Sequence, residues 1–411
     1  VTKLTKQISF IHAADLHLDS PFKGLTDLPE DLFHKVREST FLALDRLVKA
    51  AIDKKVDFVL MVGDLFDNEK QSLKAQIYLR RAFEELKQHR INVYLSYGNH
   101  DYIIGNVYPV TYPDNVFVFP DEQVTHFTYK KDGQPIANIY GFSYENRAVL
   151  ENKANEYERK DSDVPFHIAM LHGSVGSNTE HDTYAPFQIS DLAGAPFHYW
   201  ALGHIHKREI LKGNPPIVYS GNIQGRNRKE TGEKGCYHVV LSEADVNMTF
   251  IPLQEIQFTS LEVDASGCKE IHELEKQIVS SLNGFDQRSH LLIDLLLIGD
   301  NQLLRQWDSE KRIEDLIEII NETAEQEALW KYIYRVKNRY DEDIKEHQLF
   351  KGEHFVGELV RHFDQTSIHS HLEELYYHRS ARKFLSSLSG EEEQLIVSEA
   401  KELLMRELWK G

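Results

Sequence analysis

Cysteine is nearly absent from this chain: Cys236 and Cys268 are the only two among 411 residues. Two thiols cannot build the disulfide framework of a small secreted domain, and no Cys-x-x-Cys pair is present to hold structural zinc. Long apolar runs are missing too. The run Leu291 to Ile298 is interrupted by Asp294 and falls far short of the ~20 residues a membrane helix needs. Val1 to Ser9 carry no apolar signal core, so export is not expected and the cytoplasm is the expected compartment. Positive charge is also in deficit, with 47 Lys and Arg against 65 Asp and Glu and a formal net charge of −18. That balance argues against a protein that simply coats nucleic acid. What is present, 41% hydrophobic and 27% charged residues, excludes a disordered chain or a fibre and supplies a sizeable core. At roughly 100–200 residues per domain, the length accommodates two or three domains.

Short apolar runs recur through the first 250 residues: Ile8–Ala13, Phe58–Val62, Asn92–Ser96, Ile136–Phe142, His167–Leu171, Tyr199–Leu202 and Ile217–Tyr219. Each ends in polar residues or glycine, as buried strands do. Between them, Pro29–Lys54 and Ser72–His89 show helical spacing, with Phe41, Leu44, Leu47, Val48 and Ala51 on one face and Pro29 placed for a first turn. Alternating strands and helices predict an α/β architecture. After Pro252 the texture changes: strand-like Ile256–Val263, Leu291–Ile298 and Leu329–Val336 alternate with helical Lys269–Leu282 and Glu310–Thr323. An acidic stretch, Asp341–Glu346, reads as a linker. Beyond it the signal is helical, with a capping box at Ser389 and Glu392 and an apolar stripe of Ile396, Ala400, Leu403, Leu404 and Leu408. Three units are expected: 1–252, 253–340 and 341–411.

Five segments place a metal-ligand type of side chain immediately after an apolar run. They are Ala14-Asp15-Leu16-His17, Gly63-Asp64-Leu65-Phe66-Asp67, Gly98-Asn99-His100-Asp101, Leu171-His172-Gly173 and Gly203-His204-Ile205-His206. Sites in open α/β sheets assemble at the carboxyl ends of strands, and the glycines before Asp64, Asn99 and His204 let the backbone approach a bound group closely. Each segment alone reads more readily as a turn or a solvent-facing strand end; five in order do not. Two metals sharing one bridging carboxylate need about seven protein ligands, a carboxylate offering several lone pairs. Asp15, His17, Asp64, Asn99, His172, His204 and His206 supply them. Carboxylate, imidazole and amide without thiolate suit Mn²⁺, Fe or Zn²⁺. His100 is left over beside the site, a candidate for protonating a leaving oxygen.

This ordered set resembles the calcineurin-like metallophosphoesterase superfamily, whose signature is D-x-H, G-D, G-N-H-[DE], H and G-H-x-H. The resemblance covers residues 7–252. The stretches Ala13–Phe22, Gly63–Asp67 and Ser220–Arg226, followed by Glu230–Gly235, are similar to the SbcD/YhaO branch of bacterial DNA-repair nucleases. It implies a four-layer α/β/β/α sandwich with a smaller α+β capping domain and a helical C-terminal region. It implies one metal held by Asp15, His17, Asp64 and His206 and a second by Asp64, Asn99, His172 and His204. Mn²⁺ is the first expectation, with Fe, Zn²⁺ and Mg²⁺ as the other candidates. His100 matches the family's catalytic histidine, and Asp101 would orient it. Asp67 stands where some nucleases of the branch carry histidine; SbcD-like sequences carry Asp.

The implied function is two-metal hydrolysis of DNA, as exonuclease or endonuclease, beside an SMC-like coiled-coil ATPase of the YhaN or SbcC type. Residues 341–411 would bind that partner. A homodimer is left open, and no membrane is involved. From Lys207 to Gly235, seven basic residues stand against three acidic ones, and Arg226, Arg228 and Lys229 could neutralise backbone phosphates without reading bases. Two other functions compete: a phosphatase or small-nucleotide phosphodiesterase using the same metals, and a non-catalytic binding platform, which would be expected to have lost ligands.

Overall fold

The computed structural model describes residues 6–339 apart from 23, 26–27, 68–70, 106–109, 161–162, 177–183, 286–287, 300–301 and 325–326, together with 396–397 and 400. The chain divides into two compact units: Val1–Val263 with Glu270–Leu296 and Lys311–Lys337, and Asp264–Lys269 with Leu297–Glu310 and Asn338–Gly411.

In the first unit, β1 (Gln7–Ala14), α1 (Glu30–Asp53), β2 (Phe58–Val62), α2 (Leu73–Gln88) and β3 (Asn92–Ser96) alternate as expected, and β4 (Val116–Val118), which no expected run marked, comes after β3. They are followed by β5 (Thr125–Lys131), β6 (Gln134–Gly141), β7 (Phe166–His172), α3 (Ile189–Gly194), β8 (Tyr199–Gly203), β9 (Glu209–Gly213), β10 (Pro216–Tyr219), β11 (Gly235–Ser242) and β12 (Val246–Pro252). One six-stranded sheet runs β12–β11–β1–β2–β3–β4 and a second runs β5–β6–β7–β8–β10–β9. In the first sheet β1 to β4 are parallel and β11 and β12 antiparallel. In the second, β6, β7, β8 and β10 are parallel and both edges antiparallel.

The period-2 alternation of strand side chains stacks these sheets. Phe10, Phe58, Leu60 and Val62 from the first sheet meet Ile168, Met170, Tyr199 and Ala201 from the second in one buried core. The opposite faces of the same strands, Ile11, Ala13, Val59 and Met61, pack on Leu44, Leu47 and Val48 of α1 and Leu79 and Phe83 of α2. On the outer face of the second sheet, Leu171, Trp200 and Leu202 are covered by Leu192 of α3 and by Val149, Ala154 and Tyr157. The four-layer α/β/β/α sandwich is thus present, its second helical layer made among the described residues by the short helix α3 and the 3-10 turn Lys153–Glu156. Pro29 falls one residue before α1, and Ser72 caps α2 by accepting from the Ala75 amide at 3.1 Å.

Next come β13 (Ile256–Asp264), α4 (Ile271–Asn283), β14 (His290–Ile298), α5 (Gln302–Ser309), α6 (Arg312–Ala324) and β15 (Lys331–Arg339). These strands form a three-stranded sheet in the order β13–β14–β15. Ile256, Phe258, Leu292 and Trp330 share a core with Phe22, Leu25, Leu28, Leu32 and Val36, so apolar packing crosses the expected boundary at residue 252. In the second unit, Leu304 and Trp307 of α5 are buried, and the Ala265 amide donates to Ile298 O at 2.6 Å. Ile396, Val397 and Ala400 are helical. The rest of the C-terminal expectation, including Asp341–Glu346, Ser389, Glu392, Leu403, Leu404 and Leu408, lies outside the described residues. No helix among the described residues is long and apolar enough to cross a membrane.

Candidate metal centre

All five chemistry-bearing segments leave the carboxyl ends of β1, β2, β3, β7 and β8. The loops after β1 and β2 run side by side: Asp15 N donates to Gly63 O at 3.2 Å, His17 N to Asp64 O at 3.0 Å and Leu18 N to Leu65 O at 2.9 Å. The His204 amide donates to both Asp15 oxygens, at 3.0 and 3.1 Å, joining the two sheets at this end. Asp15, His17, Asp64 and His204 all have positive φ, from 43° to 93°. Non-glycine residues enter this region at a cost, and such strain concentrates at functional sites. Nothing in residue type or spacing announces that strain.

The seven expected ligands converge. Asp15, His17 and His206 form one group and Asp64, His172 and His204 another, with the ligand atoms of each group within 4.8 Å of one another. Asn99 Oδ1 lies 3.0 Å from His172 Nε2 and 3.2 Å from His204 Nδ1. Asp64 Oδ2 lies between the groups, 3.4 Å from His172 Nε2 and 3.8 Å from His17 Nε2. Each group draws ligands from both sheets. A third group, His17, Asp67 and His100, adjoins the first.

The hydrogen-bond partners test whether these rings suit a cation. His172 Nδ1 faces the Val62 carbonyl at 3.0 Å; a carbonyl only accepts, so Nδ1 carries hydrogen and Nε2 turns inward. His206 Nδ1 faces a Glu230 carboxylate oxygen at 2.8 Å, which turns its Nε2 toward His17 Nε2 at 3.1 Å. Burial, then the charge of Arg226, pushes His17 down to about 3 and keeps it neutral. Its Nδ1 lies 3.3 Å from Asp67 Oδ1 without hydrogen-bond geometry. With its hydrogen on that side, two lone pairs face each other across 3.1 Å, the arrangement a divalent ion relieves. Burial disfavours the charged form of His172, but the Asp64 carboxylate outweighs it and raises the ring to about 9. Burial likewise pulls Asp64 upward, yet the charges of His172 and then His100 hold it well below the carboxylate range. A cation there would take the place of a proton on His172, so its binding would be coupled to proton release. The donor set fits.

His100 sits beside these groups with its Nδ1 donating to the Asp67 carbonyl at 2.9 Å, leaving Nε2 for chemistry. The expected orienting contact from Asp101 has a different geometry. Asp101 Oδ1 accepts from Gly98 N and Oδ2 from Leu65 N, both at 2.7 Å. This carboxylate pins two loops together, and burial, then Asp64, pushes it up to about 7. The ring of His100 is instead held by Asp67, whose side chain also pairs with Arg226. Arg226 accordingly points into the site, and its Nη2 lies 3.4 Å from His206 Nδ1. Arg228 places its charge near Asp294 and Tyr334, and Lys229 is exposed. Sequence reasoning gave Glu230 no role; its signals are its place at the head of the Glu230–Gly235 stretch and an acidic side chain four positions after Arg226.

Close packing explains the glycine at 98. A Cβ there would lie 2.4 Å from Asp64 Oδ1 and 2.8 Å from His172 Nε2. Gly98→Ala is expected to fold but to bind Mn²⁺ on the order of tenfold more weakly, measured by titration calorimetry. Unchanged affinity would show that the loop yields without moving the ligands.

Residues 8–208 match the family model for calcineurin-like phosphoesterases. The uncharacterized metallophosphoesterase YhaO of Bacillus subtilis is 38% identical over 403 residues, covering 98% of both chains. The DNA double-strand break repair protein Mre11 of Methanocaldococcus jannaschii is 27% identical over 281 residues, covering 66% of this chain and 72% of its own. That of Thermoplasma acidophilum is 24% identical over 309 residues, covering 71% and 77%. The chain belongs to the calcineurin-like metallophosphoesterase family.

Proposed function

We propose that this protein is a two-metal phosphodiesterase that hydrolyses DNA in repair, as the nuclease subunit beside an SMC-like coiled-coil ATPase of the YhaN or SbcC type. The observation that carries the hydrolytic reading is the gathering of seven ligand side chains into two adjoining groups with Asp64 between them. Asp15, His17, Asp64 and His206 would hold one ion and Asp64, Asn99, His172 and His204 the other, with Mn²⁺ the proposed metal. Bound there, such ions polarise phosphoryl oxygens and make water a competent nucleophile near neutral pH. His100, its Nδ1 fixed by the Asp67 carbonyl, would carry a proton at Nε2 to the departing sugar oxygen. Asp101 holds the two loops that present Asp64 and His100. The names of the Mre11 relatives support DNA as substrate, as does the α+β region beyond the sandwich, a proposed cap over residues 253–340. Residues 341–411 are proposed as the ATPase-binding stretch.

The test is hydrolysis of end-labelled single- and double-stranded DNA with Mn²⁺, beside a nucleotide-phosphatase control. Progressive shortening of DNA supports the proposal; turnover of nucleotides alone would replace it with a phosphatase. Phosphate contacts are proposed for Arg228 and Lys229, in the basic loop that follows His206; Arg226 pairs with Asp67 and lies 3.9 Å from Glu230. Neutralising Arg228 and Lys229 together is expected to reduce the slope of log affinity against log salt by about 1–2. An unchanged slope would remove this loop from the DNA path.

A further inference from the structure

Glu230 lies beside the candidate centre without joining any ligand group. Its side chain is 12% exposed, and its two oxygens accept from four donors. These are His206 Nδ1 at 2.8 Å, Asn222 Nδ2 at 2.6 Å, the Arg226 amide at 2.8 Å and Asn227 Nδ2 at 3.1 Å. Four donors fill the lone-pair directions of a carboxylate, so Glu230 has no capacity left for a metal or a substrate. We propose that Glu230 is a positioning residue, which fixes His206 as the Nδ1–H tautomer with its Nε2 lone pair turned into the centre. The inference rests on reading His206 as a ligand.

The alternative tautomer is close at hand, which is why a fixed acceptor matters. With hydrogen on Nε2, His206 would donate to His17 Nε2 at 3.1 Å, and the lone pair needed for an ion would be gone. Arg226 Nη2, 3.4 Å from His206 Nδ1, can only donate; without Glu230 it would bond that nitrogen and lock the wrong form. Such outer partners orient a ligating ring and raise its basicity.

Glu230 itself stands on a braced loop. Gly235 N donates to Asn222 O at 3.1 Å, and Lys234 Nζ to His206 O at 3.0 Å. Further along, Gln224 accepts from the Glu255 amide at 2.9 Å and donates to Ile256 O at 2.6 Å. Lys234 O accepts from Leu253 N at 2.8 Å. Arg46 of α1 donates to Leu253 O at 3.2 Å and Gln254 O at 2.5 Å. A carboxylate locked by its own surroundings can hold a neighbour's geometry tightly.

The test uses the full chain labelled with ¹⁵N-histidine, free of metal, with His206 assigned by difference against His206→Gln. The parent is expected to show His206 as Nδ1–H, and Glu230→Met, similar in volume but without an acceptor, as Nε2–H. Mn²⁺ affinity of the weaker-held ion in Glu230→Met is expected to fall about 10–100-fold, and Glu230→Gln, which keeps an acceptor oxygen, to restore most of it. An Nε2–H ring in the parent, or parental affinity for both ions in Glu230→Met, overturns the proposal. If Glu230→Met does not fold, the parent spectrum decides alone. A parent that shows Nδ1–H yet binds no divalent ion would refute the metal reading, not the role of Glu230 in setting the ring.

Discussion

Replacing His100 by alanine is expected to leave two ions bound while hydrolysis falls about 10²–10⁴-fold. The expectation follows from how this residue divides its work between backbone and ring. Its amide donates to Asp64 Oδ1 at 3.0 Å, and alanine keeps that bond, so the carboxylate between the two groups stays oriented. Its ring has a separate role in the proposed reaction: Nδ1 is spent on the Asp67 carbonyl, and Nε2 is the atom that would move a proton. The ring stands edge-on to His17, centroids 5.0 Å apart at 87°, which places it beside the ligand groups. Metal analysis and rate measurement on the same preparation separate the two functions. Loss of an ion in His100→Ala would make His100 a ligand, as the grouping of His17, Asp67 and His100 allows; full activity would remove it from the reaction.

Asp64→Asn is expected to act more severely, abolishing the binding of both ions and reducing hydrolysis to background. Asp64 is buried at 1% exposure, with Oδ2 3.4 Å from one group's ring and 3.8 Å from the other's. A single negative charge there would attract both cations held by the two groups and offset their mutual repulsion, and in a poorly hydrated site such terms are large. Asparagine preserves the shape and removes the charge. The contrast with His100→Ala is the informative part: one variant loses proton transfer and keeps metal, the other loses metal itself. Elemental analysis after dialysis against Mn²⁺ reads the difference, and two ions retained at parental affinity would show that Asp64 does not bridge.

The sandwich was legible where burial is complete. β2 reads as FVLMV and is buried at every position, so its apolar run has the same limits in sequence and structure, as does β3. The edge strands were not legible, nor was β11 inside the first sheet. β5, Thr125–Lys131, is half-exposed along its length, and without a buried face it lacks the alternation that marks a strand. β9 and β12 are similar. In the site, ligand types were readable because each follows a strand, and the structure gathers all seven. The partners that orient them were not. Glu230 reaches His206 across 24 residues, and Asp101 turns to two amides instead of the ring beside it in sequence. Such choices depend on which groups tertiary packing leaves unsatisfied, and local pattern holds no record of that.

The origin of the ligands in two different sheets has a mechanical consequence. Asp15, His17, Asp64 and Asn99 belong to one layer and His172, His204 and His206 to the other, and the layers meet through apolar packing and through bonds such as the His204 amide to Asp15, His172 to Val62 O and His12 to Leu202 O. An ion seated in either group would act as a clasp across that seam. Its occupancy adds to the free energy of unfolding, by about 2.7 kcal/mol at a hundredfold excess over the dissociation constant. Chelation, by the same token, would remove that clasp and leave the packing between the sheets to hold the seam.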